Sequence, residues 1–194
     1  MSHFDRITLV TAPTEPVLEL DLVKRHLGVG FDDADDLISL YLEAATAAVE
    51  GPHGIGVPLR IATYKLTLDA FPCDSITIPL RPVTAISSVQ FKDENGFVQT
   101  LAPTAYLTDI TTGTVSRNIG GSWPTTANLP GAVTITFVAG FETIPADLLN
   151  AILLMIAGSI KNREDMYGTD GTATPVMSPA LQALLSRYRV TTFG

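Results

Sequence analysis

The sequence has few of the side chains that most often carry out chemistry: one cysteine and three histidines in 194 residues. A lone thiol, Cys73, cannot form an intramolecular disulfide, and no Cys/His spacing suggests a zinc site. His3, His26 and His53 are scattered, without the H-x-x-x-H or H-E-x-x-H spacing of a metal-binding helix. Positive charge is also scarce. Twelve Lys and Arg stand against 20 Asp and Glu, a formal net of −8, which disfavours a basic surface for nucleic-acid phosphates. No apolar run is long enough for a bilayer: the strongest, Leu148 to Ile160, is interrupted by Asn150, Gly158 and Ser159. The N-terminus lacks the basic-then-apolar layout of a signal peptide, so a soluble chain without a secretion signal is expected.

Familiar catalytic patterns are missing too. "GVGFDD" (28–33) lacks the third glycine and the preceding strand of a dinucleotide cradle, and there is no Walker lysine. "DDADD" (32–36) departs from a calcium loop in both residue order and closing glutamate. There is no G-x-S-x-G and no distinctive pair of carboxylates. The expectation is no catalytic residue, no metal site and no cofactor.

What is present is enough apolar material for a core, 46% of residues against 16% charged. The acidity is segregated. Residues 13–51 hold nine acids and two bases, residues 52–143 six and five, and residues 144–194 four of each.

"RITLVTAP" (6–13) reads as a short strand and "LELDLVKRHLGV" (18–29) as a short helix closed near Gly28. "DDADDLISLYLEAATAAVEG" (32–51) is a clear amphipathic helix, its acids at the N-terminus where unpaired N–H groups favour negative charge, with Gly51-Pro52 as the stop. From Ile55 to Gly140 the period changes to two. Strands are expected in 60–70, 75–80, 105–110, 113–119 and 132–140, with a hairpin over 84–101 turning at Asn95-Gly96 in a type I′ turn. Helix returns at 144–165, apolar almost all round and with Pro145 in its first turn. A polar Gly/Thr-rich loop, 164–177, precedes a last short helix at 178–190 with Ser178 as N-cap and Pro179 at N1. The expected fold class is α+β: a scaffold of about four helices carrying a small inserted antiparallel β barrel or sandwich. Residues 1–54 and 144–194 would form one helical unit, with 55–143 as the insertion.

Trp123, in "GSWPTTANLPGAVTITFVAGF" (121–141), is the only tryptophan. It is expected to peg its loop against the β module, with its N–H bonded to a nearby carbonyl. A ligand-binding β module using Trp123 and Tyr106 as a platform is a second reading. A small hydrolase using Cys73, or a serine with His53, is a third.

The order of segments carries a resemblance. "TEPVLELDLVKRHLGV", "DDADDLISLYLEAATAAVEG", "YKLTLDAFP", "ITIPLRPVTAISSVQFKDENG", "GGSWP", "PGAVTITFVAGF", "IPADLLNAILLMIAGSIKNRE" and "LLSRYR" resemble, in this order, the head-to-tail connector proteins of long-tailed bacteriophages and gene transfer agents. These are adaptor, or head-completion, proteins of the neck. The resemblance implies a structural virion protein rather than an enzyme, assembled in the bacterial host cytoplasm into a ring of about twelve copies. Such a ring joins the portal protein to the next neck or tail-completion (stopper) protein and lets DNA through without sequence-specific binding, away from any membrane. A tail-completion or baseplate role is the alternative within the same class. The sequence does not separate phage from gene transfer agent.

Two sets of residues follow as expectations. Arg163, Met166, Tyr167, Arg187, Tyr188, Arg189 and Phe193 would meet the portal or a neighbour, since arginine and aromatic side chains are favoured interface anchors. Some of Asp32, Asp33, Asp35, Asp36, Glu43 and Glu50 would face the channel, where carboxylates repel phosphate.

Overall fold

The computed structural model describes residues 6–13, 15–30, 34–51, 54–165 and 179–188, with the backbone alone for 162–165, 179 and 180. It contains helices α1 (Leu20–Leu27), α2 (Asp35–Val49), α3 (Ala146–Asp165) and α4 (Pro179–Ser186). Its strands are β1 (Ile7–Thr11), β2 (Ala62–Leu68), β3 (Ser75–Thr77), β4 (Val83–Lys92), β5 (Val98–Thr100), β6 (Tyr106–Asp109), β7 (Thr114–Arg117) and β8 (Val133–Ala139). The expected α+β class holds, with four helices and antiparallel sheets.

The strands form two antiparallel sheets, ordered β1-β2-β8-β4-β5 and β3-β7-β6. Both are open at their edges, so no closed barrel forms among the described residues. β8 is central because its alternation is clean: Val133, Ile135, Phe137 and Ala139 are fully buried. They meet Tyr64 and Leu66 of β2 and Val89 of β4, while Ile76, Ile78, Leu80 and Val115 arrive from the region of the smaller sheet, so the two sheets share one core. Tyr64 and Phe137 stack with ring centroids 5.8 Å apart.

A second core is helical. Val23 of α1, Ile38, Ala45 and Val49 of α2, Leu148, Ala151, Ile152 and Ile156 of α3, and Leu181 and Leu185 of α4 converge there with Val57 and Leu59. Helix α3 therefore buries its main stripe among helices and not in the sheet core. Its apolar circumference has a mundane cause, because Leu149, Leu153, Met155 and Ile160 pack partly against the same cluster and Leu154 remains 37% exposed.

Three local expectations are corrected. The β4–β5 loop is not a two-residue type I′ turn. Asp93 and Phe97 close it through Asp93 N–H to Phe97 C=O at 2.9 Å, and Gly96 N–H returns to Asp93 C=O at 2.8 Å. Gly96 takes φ 84° as the residue after the turn. The reason is Asp93, whose carboxylate accepts from the N–H groups of Asn95 and Phe97 and from Gln99 Nε2, each at 3.0 Å. The Gln99 bond, with those backbone donors, holds the Asp93 carboxyl below the usual carboxylate range. β3 stops at Thr77 rather than Leu80, because Pro79 cannot donate to a ladder. Pro145 precedes α3, its carbonyl accepting from Leu148 and Leu149, instead of lying within the first turn.

Glu50 joins the two halves. It ends α2, and its Oε1 accepts from Leu59 N–H at 3.2 Å, just before β2. Burial pushes its carboxyl pKa up, opposed by the N–H groups of Leu59 and Arg60. A carboxyl raised in the folded state binds its proton more tightly there, so stability falls as pH rises from the unfolded to the folded pKa. Glu50→Gln keeps an acceptor and removes the charge. It is expected to melt at or above the parent at neutral pH, with the gap closing once Glu50 protonates in acid. Glu50→Leu strands the Leu59 N–H and should cost ~1–3 kcal/mol. Thermal melts across pH check both.

Candidate assembly surfaces

α4 packs on the helical core, and Tyr188 just after it is tied to α3. The Tyr188 hydroxyl donates to the Asp147 carboxylate, 2.9 Å from both oxygens, and its ring sits edge-on to Phe141 at 6.3 Å. Asp147 lies in the first turn of α3, where it also accepts from Leu148 N–H at 3.0 Å. Desolvation, then the bond to the Asp147 carboxylate, pushes the Tyr188 pKa up. Tyr188 is thus a clasp holding α4 on α3, and Arg187 beside it is exposed. Arg163 lies on α3 where only the backbone is described, and Met166, Tyr167, Arg189 and Phe193 lie outside the described residues.

The acidic set divides. Asp32 and Asp33 lie outside the described residues. Asp35 pairs with Lys24 of α1 at 2.8 Å. Asp36 and Glu43 are exposed on α2, and Glu50 is the tie to Leu59. An open groove of about 720 Å³ lies between α2 and the segment joining β1 to α1, lined by the acids Glu15, Glu19 and Glu43 and by the apolar Leu9, Val17 and Leu42. Arg60 fixes that segment by donating to the Pro16 carbonyl and to Glu15, the latter at 3.3 Å.

Trp123 lies flat on Phe71, centroids 4.6 Å apart and planes 4° from parallel, and Phe71 meets Phe91 edge-on at 6.0 Å. It is a peg, as expected, but its buried Nε1 has no hydrogen-bond partner, so the expected bond to a carbonyl is absent. Tyr106 is also half-buried against the sheet core. Cys73 is exposed, and His53 lies outside the described residues. Among the described residues no group of three or more His, Cys, Asp or Glu is placed to hold a metal, and no helix is long and apolar enough to cross a membrane.

Apolar side chains are instead exposed at the sheet's margins. Leu9 and Val10 of β1 are 52% and 54% exposed, and Phe97 and Val98 at β5 are 68% and 63% exposed. No signal in the sequence separated these four residues from ordinary strand positions.

Residues 18–103 match the family of phage gp6-like head-tail connector proteins. The whole fold is similar to a chain in the neck of an empty gene transfer agent particle computed with C6 symmetry, with 26% identity, 96% of each chain covered and a TM-score of 0.72. It is similar to a chain in the virion of a native gene transfer agent particle, with 26% identity, 96% of each chain covered and a TM-score of 0.71. A neck of the native particle computed with C12 symmetry contains a further similar chain, with 25% identity, 96% of each covered and a TM-score of 0.69. No curated protein matches. The match to head-tail connectors thus lies in a stretch of the sequence, and the likeness to chains of gene transfer agent particles extends over nearly the whole fold.

Proposed function

We propose that this head-tail connector builds a ring adaptor in the neck of a phage-like particle, between the portal of the head and the next neck or tail component. The observation that carries this reading is the similarity to neck chains over 96% of both partners. A ring of twelve copies accords with the C12 symmetry of one such neck. The two separate hydrophobic clusters support a helical unit from 1–54 and 144–194 with 55–143 inserted, although β1 crosses over to complete the five-stranded sheet. The core shared by the two sheets supports a small open sandwich. Asp36 and Glu43, exposed on α2, are the described acids best placed to repel DNA in a channel. A reconstruction of the neck with both pointing outward would remove them from it.

The portal contact is assigned to the residues after α4. Tyr188 belongs to the folded body, so the informative truncation removes 189–194 and keeps the clasp to Asp147. The truncated protein is expected to melt with the full-length chain and to lose attachment to portal-bearing heads, read by co-sedimentation and cryo-EM. Undiminished attachment would overturn the assignment.

A further inference from the structure

The five-stranded sheet ends in two strands whose outer edges pair with no other strand among the described residues, β1 and β5. Native proteins guard such edges with charge or proline, because unpaired N–H and C=O groups recruit other strands. Neither strand carries a charge or a proline, β1 reading ITLVT and β5 VQT in a chain of net −8, and their only edge protection is the shortness of β5 and the irregularity in β1. Each instead carries half-exposed apolar side chains, Leu9 and Val10 on β1 and Phe97 and Val98 at β5. The β4–β5 loop holds its tip rigid through the Asp93 carboxylate, so little order has to be gained on contact.

The two edges lie at opposite ends of one sheet, as a head-to-tail ring contact requires, since such an interface joins two different patches of the same chain. The directions also agree. Every pairing in the sheet is antiparallel and the strands are five, so β1 and β5 run the same way.

Resting on the ring reading above, we infer that β5 of one copy pairs in parallel with β1 of the next, joining the sheets around the ring and setting Leu9 beside Phe97 and Val10 beside Val98. This alignment keeps side chains on matching faces and covers all four exposed apolar groups. The register irregularity between Leu9 and Thr11 places Val10 outside the regular β1–β2 ladder, leaving it available to an outer partner.

The test uses the full-length chain with Cys73→Ser, to which Val10→Cys and Val98→Cys are added singly or together. Concentrated protein and protein on portal-bearing heads are oxidised and run under denaturing, non-reducing conditions. The double variant is expected to give a covalent ladder, and each single variant at most dimers. Val98→Lys, at an exposed position, should leave the melting temperature unchanged and abolish rings in electron micrographs. Rings that give no ladder and tolerate Val98→Lys would overturn the edge contact while leaving the ring reading intact. Absence of rings in every preparation, including portal-bearing heads, would overturn both.

Discussion

Gly140→Ala is expected to destabilise the protein by ~3 kcal/mol or more, enough to leave little folded protein at physiological temperature. Gly140 follows β8 at φ 129°, a region that side-chain-bearing residues rarely adopt. A methyl group there would lie 2.1 Å from the Arg60 carbonyl oxygen and 2.7 Å from Ile61 N. Those are backbone atoms, so no rotamer change relieves the clash. The backbones are held close on purpose: Arg60 and Phe141 form a bridge, Gly140 N–H donates to the Pro82 carbonyl at 2.9 Å, and Ala62 pairs with Ala139 just beyond. The next residue, Phe141, packs on the helical core and against Tyr188. Forcing β8 away from β2 here loosens both cores at once. Circular dichroism and a melt of the purified variant read the effect, and a variant melting within a few degrees of the parent would refute it.

The elements themselves were legible because each carries its own period. Alternation located the eight described strands, the amphipathic stripe located α2, and all-round apolarity and proline and capping signals located α3 and α4. Long-range partners were not legible. Nothing near Trp123 names Phe71 as its stacking partner, and the Tyr188–Asp147 bond joins residues 41 apart in sequence. The acid-rich stretch read as one feature, yet Asp35 is spent on Lys24 and Glu50 on Leu59, because α1 folds back on α2 and α2 ends against the start of the sheet. At the hairpin, Asn95-Gly96 was the stronger local signal. Asp93 won because one carboxylate satisfies three donors around the loop. The edge residues were invisible for a different reason: strand order, not strand pattern, decides which strand is left outside.

Helix α3 shows how burial, rather than composition, sets the size of an effect. Ile156 is fully buried among the helices, whereas Leu153 is only partly buried on the margin of the same cluster. Ile156→Asp would place a carboxylate where the surrounding side chains offer it apolar contacts, and a cost of ~3–5 kcal/mol is expected. Leu153→Asp can turn its charge toward water and should cost ~1–2 kcal/mol. Ile156→Val, which removes one methylene and adds no charge, should cost ~1 kcal/mol. Melts would rank the three, and particle assembly should follow the same order, because a neck protein that does not fold cannot dock. If Ile156→Asp stays folded and still builds particles, α3 is not the centre of the helical core. If Leu153→Asp folds normally yet blocks assembly, that flank of α3 meets a neighbouring chain, and the apolar residues spread around the helix have a second purpose beyond the fold.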